Sequence, residues 1–275
     1  MSNFCYLTTN SMFTGVTGFF GRPGNTDMGE QLLNTVATQS IRHLFSRSES
    51  VEVSIRCQPS SKLLQGTIDG LQMQGRGLLI RNDFPIEEMS FQTDAVAIDF
   101  SAVLGGKLRL KQTTQAVAQI TLSESGINHA FQAQLVTKRL ENLTQPALME
   151  LSGGHPVSFR EVSIELRPNN QIRLFAKTDI GESTLIPIAM GATLTVERRR
   201  RIQFSNPQFI ADTIPEPLRD RSAALTVALG NILNDMVDLD RFDLDGITLR
   251  INRLETQGKN LLFSGYAQVD RFPGS

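Results

Sequence analysis

One stretch constrains the fold more than any other: Lys107 to Leu122, KLRLKQTTQAVAQITL, alternates without a slip. Its even positions (Leu108, Leu110, Gln112, Thr114, Ala116, Ala118, Ile120, Leu122) are mostly apolar, and its odd positions are polar apart from Val117. Strict period-two alternation predicts a β-strand with one buried face. At roughly 3.3 Å per residue such a strand would run on the order of 50 Å, two to three times the usual length. The sheet that holds it must be long and bent, and function turns on what covers its apolar face.

The rest of the chain supplies partners for that strand. Asp27 and Glu30 have the spacing of a capping box, and Leu32, Leu33, Val36, Ala37, Ile41 and Leu44 then recur at helical spacing. Val51, Val53, Ile55 and Cys57 alternate as a strand, followed by a second from Gly66, in which Leu71, Met73 and Leu79 share a face with Gly75 and Gly77. Glycines inside a strand fit a sheet that curls. A third strand runs from Ile86 to about Phe100, with a change of apolar phase near Asp94 that predicts a bulge or corner, and a turn spans Ser101 to Gly106. Ser123 caps a second helix with Ile127, Phe131, Leu135 and Leu140 along one stripe, closed by Pro146.

The second half repeats helix plus meander. Val162, Ile164 and Leu166 lead through an Asn169-Asn170 turn to a return strand, and Thr184 to Phe204 reads as one long extended run whose Pro187 implies an edge or a bulge. Pro217 introduces a third helix whose apolar stripe, including Leu225, Leu229, Ile232, Leu233 and Met236, is wider than one packed face needs. Two alternating strands end the chain. The predicted organisation is an N-terminal arm, residues 1–25, and a single elongated domain, 26–275, with halves 26–150 and 151–275.

Charge narrows the partners. A net charge of −1 gives no basic footprint for nucleic acid. Cys5 and Cys57 form no ligand spacing and read as free thiols of a reducing compartment. No apolar run is long enough to span a bilayer, and the first residues have neither a basic n-region nor a continuous apolar core, so the expectation is a cytoplasmic or membrane-peripheral chain, with Met12 as a candidate start. Phe13, Phe19 and Phe20 on the glycine-rich arm are candidates for contact with a lipid interface.

Catalytic patterns do not emerge. His43, His129 and His155 are scattered, and no G-x-S-x-G, H-E-x-x-H, Walker or G-x-G-x-x-G element occurs. The acidic run Asp235, Asp238, Asp240, Asp243, Asp245, Gly246 departs from a calcium loop, since Arg241 and Asn252 stand where acidic ligands belong. No metal or cofactor is expected. In Glu197–Arg201, ERRRR, a strand would send Arg198 and Arg200 to one face, where they could hold a phosphate at the mouth of an apolar groove.

Three segments carry a family resemblance: Gly66-Thr-Ile-Asp with Leu71 and Gly75-x-Gly77-Leu; Phe91-Gln-Thr-Asp-Ala-Val-Ala-Ile-Asp99; and Leu110 through Asn128. They resemble the LmeA-like phospholipid-binding family, in the style of its cyanobacterial branch. The resemblance implies an α+β fold, with a long, strongly curved antiparallel sheet wrapped on amphipathic helices, similar to tubular lipid-binding proteins. It also implies phospholipid binding without catalysis. On that reading Leu71, Met73, Leu79, Phe91, Leu108, Leu110 and Ile120 line an elongated groove, Ile232 and Met236 close it, and Arg198 and Arg200 meet the headgroup. The alternative is a membrane-associated scaffold that binds a protein partner through its apolar helix face.

Overall fold

The computed structural model describes residues 28–236, Leu239 and residues 246–271. The phenylalanine arm, Asp27, and Asp238, Asp240, Asp243 and Asp245 lie outside the described residues. Helix α1 (Met28–Arg42) precedes β1 (Ser50–Arg56), and the short α2 (Ser61–Leu64) leads to β2 (Thr67–Ile68) and β3 (Gly70–Ile80). Next come β4 (Phe84–Thr93), β5 (Val96–Ala97), α3 (Phe100–Leu104) and β6 (Thr114–Ser123). Helices α4 (Glu124–Phe131), α5 (Gln134–Thr137) and α6 (Pro146–Leu151) separate these from β7 (Ser158–Leu166), β8 (Gln171–Asp179), β9 (Ile186–Glu197) and β10 (Arg201–Phe209). The long α7 (Arg219–Met236) follows, then β11 (Ile247–Gln257) and β12 (Asn260–Val269).

These elements form an α+β architecture around a large, open antiparallel sheet ordered β1-β3-β4-β6-β12-β11. The expected four-strand meander is its first two thirds, and the last two strands return from the second half to complete it. A second sheet, β10-β9-β8-β7, carries α7, and β2 pairs with β5 as a separate ribbon. Two apolar cores form: α1 over β1 and the meander in one, and α7 over the second sheet in the other, which also takes in Ile251, Leu254 and Leu261 of β11 and β12. Leu122 packs against both.

Several expectations need correction. The strand predicted from Lys107 begins only at Thr114. Its neighbour β12 ends at Val269, opposite Thr114, so residues 107–113 have no ladder to join. Leu108 and Leu110 nonetheless tuck inward, Leu110 through a bridge to Ile98, and that tethering produces the continued alternation.

In β3 the buried face changes at Gly77, whose φ of +55° lies in the left-handed region, so that Leu78 is buried in place of Leu79. The third strand breaks at Asp94, and its end pairs instead with β2. Residues expected as a turn after it form α3, capped by the Asp99 carboxylate, which accepts from the Ser101 and Ala102 N–H groups. The second helix does start at Ser123, whose hydroxyl accepts from Gly126 N–H, but extended backbone at Ala133 divides it into α4 and α5.

Thr184–Phe204 is a hairpin rather than one strand. Arg198 and Arg199, with φ of +48° and +59°, form its turn, so the pleat argument for Arg198 and Arg200 does not apply. Pro187 sits where β10 has not yet begun to pair, which leaves its side of β9 locally an edge.

Candidate functional site

Six strands bring Val53, Met73, Phe91, Ala118, Gly265 and Ile251 into one row across the large sheet. The two strands at the junction of the halves, β6 and β12, place Ala116, Ala118, Gly265 and Ala267 on the inner face. Small residues there leave a depression that larger ones would fill.

Over one end of that depression the two cores part into a groove of about 500 Å³. Its floor is Ala118, Ile120 and Leu122 of β6 with Phe263 of β12 and Leu249 and Ile251 of β11. Ile127, Ala130, Phe131, Leu135 and Val136 of α4 and α5 make one wall, and Leu233 and Met236 of α7 with Ile202 and Phe204 of β10 make the other. The hairpin between β3 and β4, through Ile80, Phe84 and Pro85, forms the remaining side. Volume and lining both fall in the range of small-molecule sites, roughly 300–1,000 Å³ and mostly apolar.

The walls are held by polar contacts that the sequence places at helix starts and sheet edges. Asn128 of α4 bonds both backbone groups of Ile164 on β7: its Nδ2 donates to the carbonyl at 3.0 Å and its Oδ1 accepts from the N–H at 2.7 Å. Glu124 accepts from Leu166 N–H at 2.7 Å and pairs with Lys259. Burial pushes the Glu124 carboxyl up, but the Lys259 and Leu166 hydrogen bonds and the neighbouring positive charge outweigh it and hold the group below the ordinary glutamate value. A Cβ at Gly126 would stand 3.3 Å from Pro85 Cγ, so glycine there lets α4 lie close against the β3–β4 hairpin. On the opposite wall Asn234 Oδ1 accepts from Phe204 N–H at 2.7 Å, and Ser222 donates to the Pro187 carbonyl at 2.6 Å.

Among the described residues the charged members of the lining are Arg81, Arg139 and Arg250, and Ser264 and Tyr266 are its uncharged polar members. Arg81 and Arg139 are exposed, whereas Arg250 is half-buried. Arg199 stands 5.7 Å over the Tyr266 ring, and its carbonyl accepts from Ile251 N–H at 2.7 Å, so the β9–β10 turn is clamped to the side of the groove.

Of the residues expected to line or close a groove, Ile120 and Met236 do so. Leu71, Phe91, Leu108 and Leu110 surround a void of only about 10 Å³ in the first core, room for one water at most. Met73 is buried in that same core, Leu79 is half-buried on β3, and Ile232 packs on the second core. Arg198 and Arg200 lie in the hairpin turn beside the groove and not among its lining residues. Leu122, Ile127, Phe131, Phe204 and Phe263 also line the groove, and the sequence placed them only in alternating strands and a helical stripe. Their periodicity was visible, but periodicity marks an inward face without distinguishing a filled interior from an open one.

Among the described residues no helix is long and apolar enough to cross a membrane, and no cluster of His, Cys, Asp and Glu is arranged to hold a metal ion. Comparison with curated proteins and with solved structures finds no match. The family model for LmeA-like phospholipid-binding proteins matches residues 24–265, from ahead of α1 to the middle of β12, and the chain belongs to that family.

Proposed function

We propose that this protein binds a phospholipid without catalysis, seating acyl chain in the groove between its two cores, at or near a membrane surface. The observation that carries the reading is the groove itself: about 500 Å³, apolar on floor and walls, in a chain of a phospholipid-binding family. Burying a methylene gains about 0.8 kcal/mol, so a chain lying along this lining supplies affinity without directional contacts. Open sheet, helical walls and lateral groove support a relationship in kind to tubular lipid-binding folds, and transfer between membranes is the activity such a groove suits.

Native mass spectrometry of protein purified from a lipid-containing host tests this. Bound phospholipid is expected on the wild type and absent from Ala130→Phe, which fills the α4 wall. Protein free of lipid, carrying a tight protein partner instead, would overturn the reading.

A further inference from the structure

Away from the groove, the end of the molecule built on the β2–β5 ribbon is apolar where its own core does not require it. Helices α2 and α3 each bury an anchor, Leu63 and Val103, and each then ends on a leucine turned out to solvent. Those leucines, Leu64 at 72% exposure and Leu104 at 65%, are the most exposed large apolar side chains among the described residues. Single exposed leucines are ordinary, but here the two most exposed share one end.

Backbone hydrogen bonds hold that end together. The carbonyl of Gly66, two residues past Leu64, accepts from Ile98 N–H at 2.8 Å, and Thr67 pairs with Ala97. Asp99 N–H donates to the Arg109 carbonyl, Lys111 N–H to the Ala97 carbonyl and Lys107 N–H to the Ala102 carbonyl, each at 2.9 Å. The loop 107–111 is thereby laid along the ribbon and α3, and a Cβ at Gly66 would stand 2.7 Å from the Lys111 ammonium.

The charges on the two leucine-bearing segments, 61–66 and 100–111, are Lys62, Lys107, Arg109 and Lys111, all positive. Lys107, Arg109 and Lys111 are exposed, and among the described residues none of the three forms a salt bridge. Of the carboxylates that flank these segments, Asp69 pairs with Lys62 at 2.6 Å and Asp99 caps α3, while Asp94 lies at the β4–β5 corner. Exposed leucines beside unpaired cations suit the lipid interface, which offers acyl chain to the first and phosphate to the second.

We propose that this end of the molecule docks on an anionic lipid surface, with Leu64 and Leu104 entering the headgroup–acyl boundary and Lys107, Arg109 and Lys111 meeting the lipid phosphates. The inference rests on the membrane-surface part of the reading above and names the docking face. The groove lies at the far end of β3 and β4, strands that span on the order of 30 Å, so docking and loading use separate surfaces.

The test mixes the full chain with vesicles of phosphatidylglycerol and phosphatidylcholine in equal parts, or of phosphatidylcholine alone, and measures the bound fraction by flotation. Wild type is expected to bind the anionic vesicles at least about tenfold more tightly, less so as salt is raised. Leu64→Ser with Leu104→Ser, and separately Lys107→Gln with Lys111→Gln, should each weaken that binding at least about fivefold. Thermal unfolding should be unchanged in both, since all four side chains are exposed. Val227→Ser, which removes an exposed apolar side chain from α7, should leave vesicle binding intact.

Binding that survives the leucine substitutions would overturn the assignment to this end, as would equal binding to the two kinds of vesicle. No vesicle binding by wild type, with phospholipid still found on the purified protein by native mass spectrometry, would overturn the inference and leave the groove reading standing. Absence of both would remove both. A protein partner lost on Leu64→Ser with Leu104→Ser, in place of vesicle binding, would make this end a protein interface and likewise sink the proposal.

Discussion

Gly265 is the position at which the groove floor tolerates no side chain. A Cβ there would fall 1.9 Å from the Arg250 carbonyl oxygen, because β11 bulges at Asn252 and presses its backbone against β12. Gly265→Ala must displace backbone rather than a side chain, so it should cost about 3 kcal/mol or more and lower the urea midpoint accordingly. Glu124 yields a pH prediction. Its folded-state carboxyl is depressed, so its stabilisation is present above the ordinary glutamate range and is lost as pH falls through that range and below. Wild type should therefore lose stability more steeply than Glu124→Gln between about pH 5 and pH 3, with Glu124→Gln the less stable by about 1–2 kcal/mol at neutral pH, as measured by denaturant midpoints across that window.

At the scale of elements, the four edge strands of the two larger sheets each form a hydrogen bond with an asparagine side chain. Asn34 of α1 accepts from Ile55 N–H on β1, Asn128 of α4 covers β7, Asn234 of α7 accepts from Phe204 N–H on β10, and Asn170 bonds Leu254 and Thr256 on β11. Asparagine suits the task because one side chain offers both a donor and an acceptor, and so imitates the peptide group of a missing strand. Covered edges do not template pairing with another chain. Asn128→Ala leaves both backbone groups of Ile164 without a partner at the foot of the α4 wall. It should cost about 2 kcal/mol by denaturant unfolding and weaken lipid loading through that wall. Asn170 also has a φ of +59°, so Asn170→Gly, which keeps the turn, should be less destabilising than Asn170→Ala, which loses the turn and the edge contact together.

At the scale of the molecule, two packed cores meet over one sheet and leave a gap where they join. The first core is filled to a residual void of about 10 Å³, while the junction keeps about 500 Å³ open. Filling such a gap stabilises an empty protein and competes with its ligand, so stability and binding should move in opposite directions. Ala130→Leu, a good helix former on the α4 wall, is expected to hold or raise stability, by up to about 1 kcal/mol, while reducing lipid loading several-fold; thermal unfolding and native mass spectrometry on the same sample would check both.

Much of this was legible in the chain. Alternation located β1, β3, β4, β6, β7, β8, β11 and β12 because each has one buried face, and the Asn169-Asn170 turn and the Ser123 cap declare themselves in local chemistry. The strand from Lys107 was overextended because a buried loop side chain such as Leu108 imitates a strand's period without having a strand's partner.

What the sequence by itself determined is therefore which residues face inward, since period and polarity are local properties. The tertiary structure decided which inward faces meet: Leu71 and Phe91 against a packed core, Ile120 and Phe131 across an open groove, and three arginines distant in sequence along one lining. Filling depends on the distance between elements, and that distance is set by contacts such as Asn128 with Ile164 and Ile251 with Arg199, which join residues dozens of positions apart and leave no local pattern.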